Sequence, residues 1–446
     1  MGMLTPKEID EFAPLLKPLE EKEPVLSAWR YHLRKETKKE NKLKRDFKDF
    51  VKSFVYGNRR VSVPEKGQIV FLMTSYAPSA SGSLIPILKI LEASKIKPYI
   101  VVGSKTKKIE FRNMIMSEIN EIIFTSFNKK FINNLKKLSF DMASEIERNM
   151  NNAFNVDYYW IFQGLAAMEF SKKHKEDIKF VLSDSDKESF RKGFFLGVDE
   201  GAVLQHGFFN QQLFPIHAKY HFDWGPYFSK KAEEYGHPLN RSVSLGCPRF
   251  DIIEELKKKP KDEKFLEKHN LKSRPVVLAI SGVHAYDLFP RSVELFFESL
   301  KSLIDNDISL IIRRHPAETD RSIYEKFLGE KRLRKCCLIE ANEDLYEMIR
   351  NCDVVYQYAS AVSIEAMLFG IPVLWEKDAD GNPFKEIPLL GGGVNVESSN
   401  IVETVKEIGN ESREKEKLID KQYNFLQQAV VNKGKSTKKI CEFILR

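Results

Sequence analysis

The chain is 446 residues long, 42% hydrophobic and 30% charged, with a formal net charge of +8. Those values suit a soluble globular protein of about two to three domains, because a single core rarely grows to this size. No run of about 18 apolar residues occurs, so no membrane-spanning helix is expected. The opening MGMLTPKEIDEF also lacks the basic-then-apolar order of a secretory signal.

Residues 1–66 read as a helical leader. Between Tyr31 and Arg60, eleven Lys/Arg stand against four Asp/Glu, which is nearly the whole charge imbalance of the chain. Leu43, Phe47, Phe50, Val51 and Phe54 recur at helical spacing, giving a basic amphipathic helix. Such a helix suits contact with an anionic lipid surface or an anionic acceptor polymer, or packs on its own domain through the phenylalanines. Nucleic acid is not an expected partner, because no aromatic-interleaved basic surface or reader motif accompanies the charge.

From 67 to 251 strands and helices alternate. Apolar runs at Ile69–Thr74, Tyr99–Val102, Ile122–Thr125, Phe180–Ser183 and Ala202–Gln205 read as strands, and SLIPILKILEAS and FRNMIMSEINE as helices. Residues 252–273, lysine-rich and sparsely apolar, read as an inter-domain connection. Alternation resumes over 274–446 with PVVLAISG, ISLIIRRHP, KCCLIE, CDVVYQY and IPVLWE as strands, and helices closing the chain. Near-continuous apolar strands belong to parallel sheets buried on both faces. The expected fold is therefore α/β, with two doubly wound, Rossmann-like domains facing a cleft. The five cysteines form no C-x-x-C pair and are odd in number, the pattern of free thiols in a reducing cytoplasm.

In open parallel sheets ligands bind beyond the carboxyl ends of the strands, and that rule selects four motifs. GAVLQHGFFN ends a strand on His206 and Gly207: an imidazole suited to general-base work, and a glycine that lets backbone approach a ligand. KFVLSDSDKESF follows its strand with Asp184 and Asp186, either of which can cap the next helix or deprotonate an acceptor hydroxyl. SLIIRRHPAE places Arg313, Arg314, His315 and Pro316 at a strand end, a pattern suited to an anion. YQYASAVSIEAMLFG sets Ser360 and Ser363 at the opening of a helix, where unpaired N–H groups attract phosphate, with Glu365 one turn in to meet ribose hydroxyls. Ser281, Gly282 and His284, after PVVLAI, join the expected donor-binding set. The acidic VDEG, Asp199–Gly201, precedes its strand and so faces the amino end, away from the ligand side.

Taken in order, strand-QHG, LGCPRFD, strand-RHP and S-x-x-S-x-E-A-x-x-x-G-x-P-V resemble bacterial surface-polysaccharide glycosyltransferases of the glycosyltransferase-B fold. By pattern these are capsule polysialyltransferases, capsule Kdo transferases and the CDP-glycerol glycerophosphotransferases of teichoic acid synthesis. The resemblance runs from about Phe180 to Trp375. It implies inverting, metal-independent transfer, without a cofactor, of a sialic-acid- or Kdo-like sugar or a glycerophosphate unit from a CMP- or CDP-activated donor to an oligosaccharide or lipid-linked glycan acceptor at the cell surface. His315, Ser360 and Ser363 would hold the leaving phosphate, Arg249 of CPRFD would reach it, and His206, Asp184 or Asp186 would act as base. The implied location is the cytoplasm, peripheral to the membrane. Transfer from a UDP- or GDP-sugar, epimerisation of a UDP-sugar on the same fold, and a non-catalytic binding role are the alternatives.

Overall fold

A computed structural model describes residues 6–29, 62–74, 78–103, 114–150, 156–210, 213–286, 289–318, 320–377, 379 and 384–446. The basic segment 31–60 lies outside the described residues. The chain divides into two compact units, Met1–Arg249 with Lys435–Arg446, and Phe250–Gly434.

The first unit is a sheet of seven parallel strands: β1 (Gln68–Met73), β2 (Tyr99–Val102), β3 (Ile115–Glu118), β4 (Ile178–Ser183), β5 (Gly201–Leu204), β6 (Tyr220–Asp223) and β7 (Ser242–Ser244), in the order β3-β2-β1-β4-β5-β6-β7. All six β1 residues are buried, as a strand covered on both faces requires. One face packs Leu84, Ile87, Leu88 and Leu91 of helix Pro78–Ala93 against Phe71, Leu182 and Phe222.

Beyond that sheet, helices Tyr158–Lys173 and Ser189–Leu196 meet at glycines. A Cβ on Gly193 would stand 1.9 Å from the Gly164 carbonyl oxygen, so the two backbones touch where a larger residue would part them.

Two expectations for this unit change. FRNMIMSEINE supplies strand β3 instead of a helix, and Ile122–Thr125 lies in helix Ile119–Ser126 instead of a strand. Glu118 and Glu121 form a capping box there, which starts the helix before the apolar run begins. The chain end also belongs here and not with the second unit. Helix Ser436–Ile444 sets Ile440, Cys441 and Ile444 into the first core, and Phe443 edge-on to Phe222 at 5.0 Å.

The second unit is a sheet of six parallel strands: β8 (Val276–Ile280), β9 (Ser309–Arg313), β10 (Cys337–Ile339), β11 (Val354–Gln357), β12 (Val373–Glu376) and β13 (Val394–Val396), in the order β10-β9-β8-β11-β12-β13. Helix Pro290–Asp305 packs Phe296 flat on Tyr356 at 5.3 Å and Phe297 flat on Phe327 at 4.6 Å. The expected connection, 252–273, is part of this unit: Ile253 and Phe265 are buried, and Lys261 bonds Asp353 Oδ1 at 2.6 Å. Its lysines face outward while two apolar anchors hold it down.

Each sheet has a reversal of strand order, β1 beside β4 and β8 beside β11, and in open parallel sheets such a reversal, at the carboxyl ends, is where ligands bind. Gly193→Ala should lower stability by about 3 kcal/mol or prevent folding, since two helix backbones must separate. Gly207→Ala, where the added Cβ meets nothing within 4 Å, should leave the denaturation midpoint unchanged. Equal midpoints for the two variants would refute the helix contact.

Candidate functional site

In the first unit the loops after β4 and β5 meet at one imidazole. His206 follows β5, and its Nδ1 lies 2.7 Å from the Asp184 carbonyl oxygen, at the end of β4. A carbonyl only accepts, so Nδ1 carries the proton and Nε2 holds the lone pair. Desolvation by the surrounding loops lowers the His206 pKa, outweighing the opposite pull of Asp184, while Lys187 and Arg249 add to the lowering. The ring is neutral, with its basic nitrogen at Nε2.

Its backbone is gripped on both sides. Arg249 donates from Nη1 to the His206 carbonyl at 2.9 Å and lays its guanidinium over the Trp224 ring at 5.7 Å. Trp224 Nε1 donates to the Gln205 carbonyl at 2.8 Å, and Gln205 Nε2 donates to the Gly207 carbonyl at 3.1 Å. At Gly207 itself, a Cβ would meet nothing within 4 Å.

The Asp184 carboxylate points to a different partner. Its Oδ1 pairs with Arg191 Nη1 at 2.9 Å, against 3.9 Å from its Oδ2 to His206 Nδ1. Arg191, fully buried, also donates from Nε to Thr74 Oγ1 at 2.6 Å, and Thr74 donates on to Glu188 Oε2 at 2.7 Å. Thr74 follows β1 and Asp184 follows β4, so this chain of bonds spans the strand reversal. The sequence reading missed Thr74, Glu188 and Arg191, although Thr74 sits where the strand-end rule would have looked.

Asp186 is turned inward. Its Oδ2 accepts the His217 N–H at 2.7 Å and lies 3.9 Å from buried Lys192, and burial raises its pKa. It anchors the 213–217 turn, and the structure does not bring it to His206.

In the second unit the loops after β8 and β9 carry His284 and His315, whose rings stack at 3.9 Å and 16°. Both residues are exposed, and the stacked rings cover one face of each other. His315 Nδ1 accepts the Ala317 N–H at 3.1 Å. An amide N–H only donates, so the neutral ring carries its proton on Nε2, the reverse of His206. Desolvation lowers both pKa values, and His284 and Arg313 lower that of His315 further. Pro316 begins the turn that follows.

The two arginines do not make the open anion pocket expected of them. Arg314 is buried, paired with both Glu340 oxygens at 3.0 and 2.7 Å, and donates to the Glu318 carbonyl at 2.8 Å. Arg313 donates from Nη2 to the Ala341 carbonyl at 2.7 Å, and its buried Nε has no hydrogen-bond partner among the described residues. Both guanidiniums first satisfy carbonyls or carboxylates that the strand ends leave behind.

At the reversal beside β11, a Cβ on Gly282 would fall 2.3 Å from the Tyr358 hydroxyl, so this glycine makes room for the tyrosine. The Tyr358 hydroxyl is buried without a hydrogen-bond partner among the described residues, as is Gln357 Nε2. The helix expected to open at Ser360 begins at Val362. Ser360 Oγ accepts the Val362 N–H at 3.3 Å, whereas buried Ser363 donates to the Ser360 carbonyl at 2.9 Å. Buried Glu365 accepts from Tyr346 at 2.9 Å. Ser281 Oγ donates to Glu318 Oε1 at 2.8 Å. No group of three His, Cys, Asp or Glu side chains among the described residues is placed to hold a metal ion, and no described helix is long and apolar enough to cross a membrane.

No protein-family model and no curated protein sequence matches the chain. Solved structures do. UDP-GlcNAc 2-epimerase from Methanocaldococcus jannaschii is 14% identical with a TM-score of 0.53, over 85% of this chain and 99% of that one. The Neisseria meningitidis UDP-GlcNAc 2-epimerase bound to UDP-GlcNAc gives 13% and 0.52, over 85% and 99%. The wall teichoic acid polymerase TagF gives 14% and 0.51, over 90% and 96%. What is shared at these identities is the fold. The chain has two parallel-sheet α/β domains of the glycosyltransferase-B type.

Beneath the His206 loop, Phe209 packs edge-on to His221 at 5.8 Å, and His221 edge-on to His237 at 5.6 Å. Both His221 ring nitrogens are buried without partners among the described residues, and burial takes its pKa from 6.5 to about 3. The unfolded chain takes up a proton below pH 6.5 that the folded chain refuses until about pH 3, so stability is whole above 6.5 and declines between those values. Relative to His221→Phe, the natural chain should lose about 2 kcal/mol between pH 7.5 and pH 5, read by urea denaturation at each pH. A gap that does not change with pH would show that His221 protonates in the folded state.

Proposed function

We propose that this protein is a nucleotide-sugar transferase that moves an activated group, with inversion, from its donor to a hydroxyl of a glycan acceptor. The observation that carries the reading is the pair of opposite tautomers at strand ends: His206 with a lone pair at Nε2, His315 with a proton there. One imidazole is built to take a proton and the other to give a hydrogen bond.

In the proposed reaction the acceptor oxygen attacks the anomeric carbon and loses its proton to His206 Nε2. The bond from that carbon to the donor phosphate breaks, and the phosphate oxygen takes the charge. His315 Nε2–H stabilises that oxygen. An anion beside His315 reverses the local electrostatics and raises its pKa, so the proton can follow. Asp184 contributes through its carbonyl, and Asp186 has no part. Tyr358, Gln357 and Arg313, with buried donors that have no partner among the described residues, extend the donor side along β9 and β11.

A CMP- or CDP-linked donor is the first candidate, from the HP arrangement at His315 and Pro316. Metal-independent transfer, a lipid-linked or oligosaccharide acceptor, and docking of residues 31–60 on the cytoplasmic membrane face belong to the same reading. The second reading, epimerisation of a UDP-sugar, is favoured by the epimerases among the similar structures.

A screen of CMP-, CDP-, UDP- and GDP-activated donors, with and without a glycan acceptor, separates the readings. Turnover that requires acceptor supports transfer, and isomerisation of a UDP-sugar alone supports epimerisation. With the productive donor, His315→Ala and His206→Ala should each lower kcat by about 100-fold or more while circular dichroism stays unchanged. EDTA should not reduce turnover. Near-normal activity in either histidine variant would refute the assigned role.

A further inference from the structure

We propose that Glu318 is the positioning residue that holds His315 in its donor geometry, by tying the turn after β9 to the end of β8. The inference deepens the reading of His315 given above and rests on it for its kinetic consequence, though not for its structural one.

Glu318 closes the H-P-A-E turn from both ends. Its N–H donates to the His315 carbonyl at 2.9 Å, and its own carbonyl accepts Arg314 Nη2 at 2.8 Å. Its carboxylate leaves the turn altogether. Oε1 accepts from Ser281, the residue after β8, at 2.8 Å, and Oε2 accepts from Tyr324 of helix Ser322–Leu333 at 2.6 Å. The Tyr324 hydroxyl also lies 2.6 Å from Ser281 Oγ, and Arg314 Nε stands 3.8 Å from Oε2. The side chain is 2% exposed. One buried carboxylate thus joins three elements, two of which lead directly into His284 and His315.

The chemistry requires a carboxylate. Ser281 and Tyr324 bring one hydroxyl proton each, and an ionised carboxylate offers an acceptor oxygen to both. An amide would turn an NH₂ group towards one hydroxyl and remove the charge opposite Arg314, leaving buried donors facing each other. The Ala317 N–H that fixes the His315 tautomer lies inside the turn that Glu318 closes, so loosening the turn releases the ring. Ser281 supports the His284 loop in the same way, since its Oγ accepts the Val283 N–H at 3.3 Å. The stacking of the two imidazoles therefore depends on the same carboxylate.

The test is Glu318→Gln, read by ¹⁵N NMR of histidine-labelled, ligand-free protein, with the His315 signals among the nine histidines assigned from the His315→Ala spectrum. The natural chain should show a single His315 tautomer, with lone pair at Nδ1 and proton at Nε2. The variant should show averaged tautomers, and with the productive donor kcat should fall on the order of tenfold to a hundredfold. A Glu318→Gln spectrum with the His315 tautomer unchanged would overturn the proposal, even if His315→Ala is inactive. Averaged tautomers support it even if no donor is turned over, in which case only the transferase reading fails. Should Glu318→Gln not fold, Ser281→Ala removes one hydroxyl without touching the charge, and the same averaging is expected.

Discussion

Every strand pair in both sheets is parallel, and most of the chemistry described here follows from that constraint. Parallel neighbours must be joined by a return crossing, so the carboxyl ends of all strands in a sheet emerge along one edge. The loops after β1, β4 and β5 therefore share one edge of the first unit, and those after β8, β9 and β11 share one edge of the second. Where the strand order reverses, crossings leave to opposite faces and open the sheet edge. Thr74 and Asp184 stand at the first such point, Gly282 and Tyr358 at the second.

At those edges the imidazoles are oriented by backbone instead of by carboxylates. A carboxylate bonded to Nδ1 would fix the tautomer too, but it would also stabilise the imidazolium and raise the pKa. A carbonyl at His206 and an amide N–H at His315 fix the proton without adding a full charge. The pull of Arg191 on Asp184 keeps the nearby carboxylate turned aside, at 2.9 Å from the guanidinium and 3.9 Å from the ring. Buried charge thus serves the frame, and the imidazoles at the strand ends stay neutral.

The same division explains what the sequence displayed and what it hid. Strand ends were legible, because apolar β-branched runs followed by His-Gly or Arg-His-Pro announce both a strand and its carboxyl end. His206 and His315 both stand at such ends. Asp186 and Arg314 satisfy the same rule yet are buried: position at a strand end does not say whether a side chain turns to solvent or into the core. Arg191, Glu188, Glu318 and Tyr324 carried no local signal. Their significance lies in bonds to residues distant in sequence, such as Tyr324 to Ser281. Ile122–Thr125 failed for a different reason, since a short apolar run fits a helix or a strand, and the Glu118–Glu121 capping box decides between them.

By itself the sequence determined the class of fold, because hydrophobic periodicity is local and an apolar run buried on both faces has few homes other than a parallel sheet. It also determined which imidazoles sit at strand ends. Only the tertiary structure decided which nitrogen of each ring holds the proton. That choice rests on the Asp184 carbonyl and the Ala317 amide, on how the turns bring them to 2.7 and 3.1 Å, and on buried charges that hold the turns. A hydrogen bond is a matter of distance and direction, and neither is written in residue order.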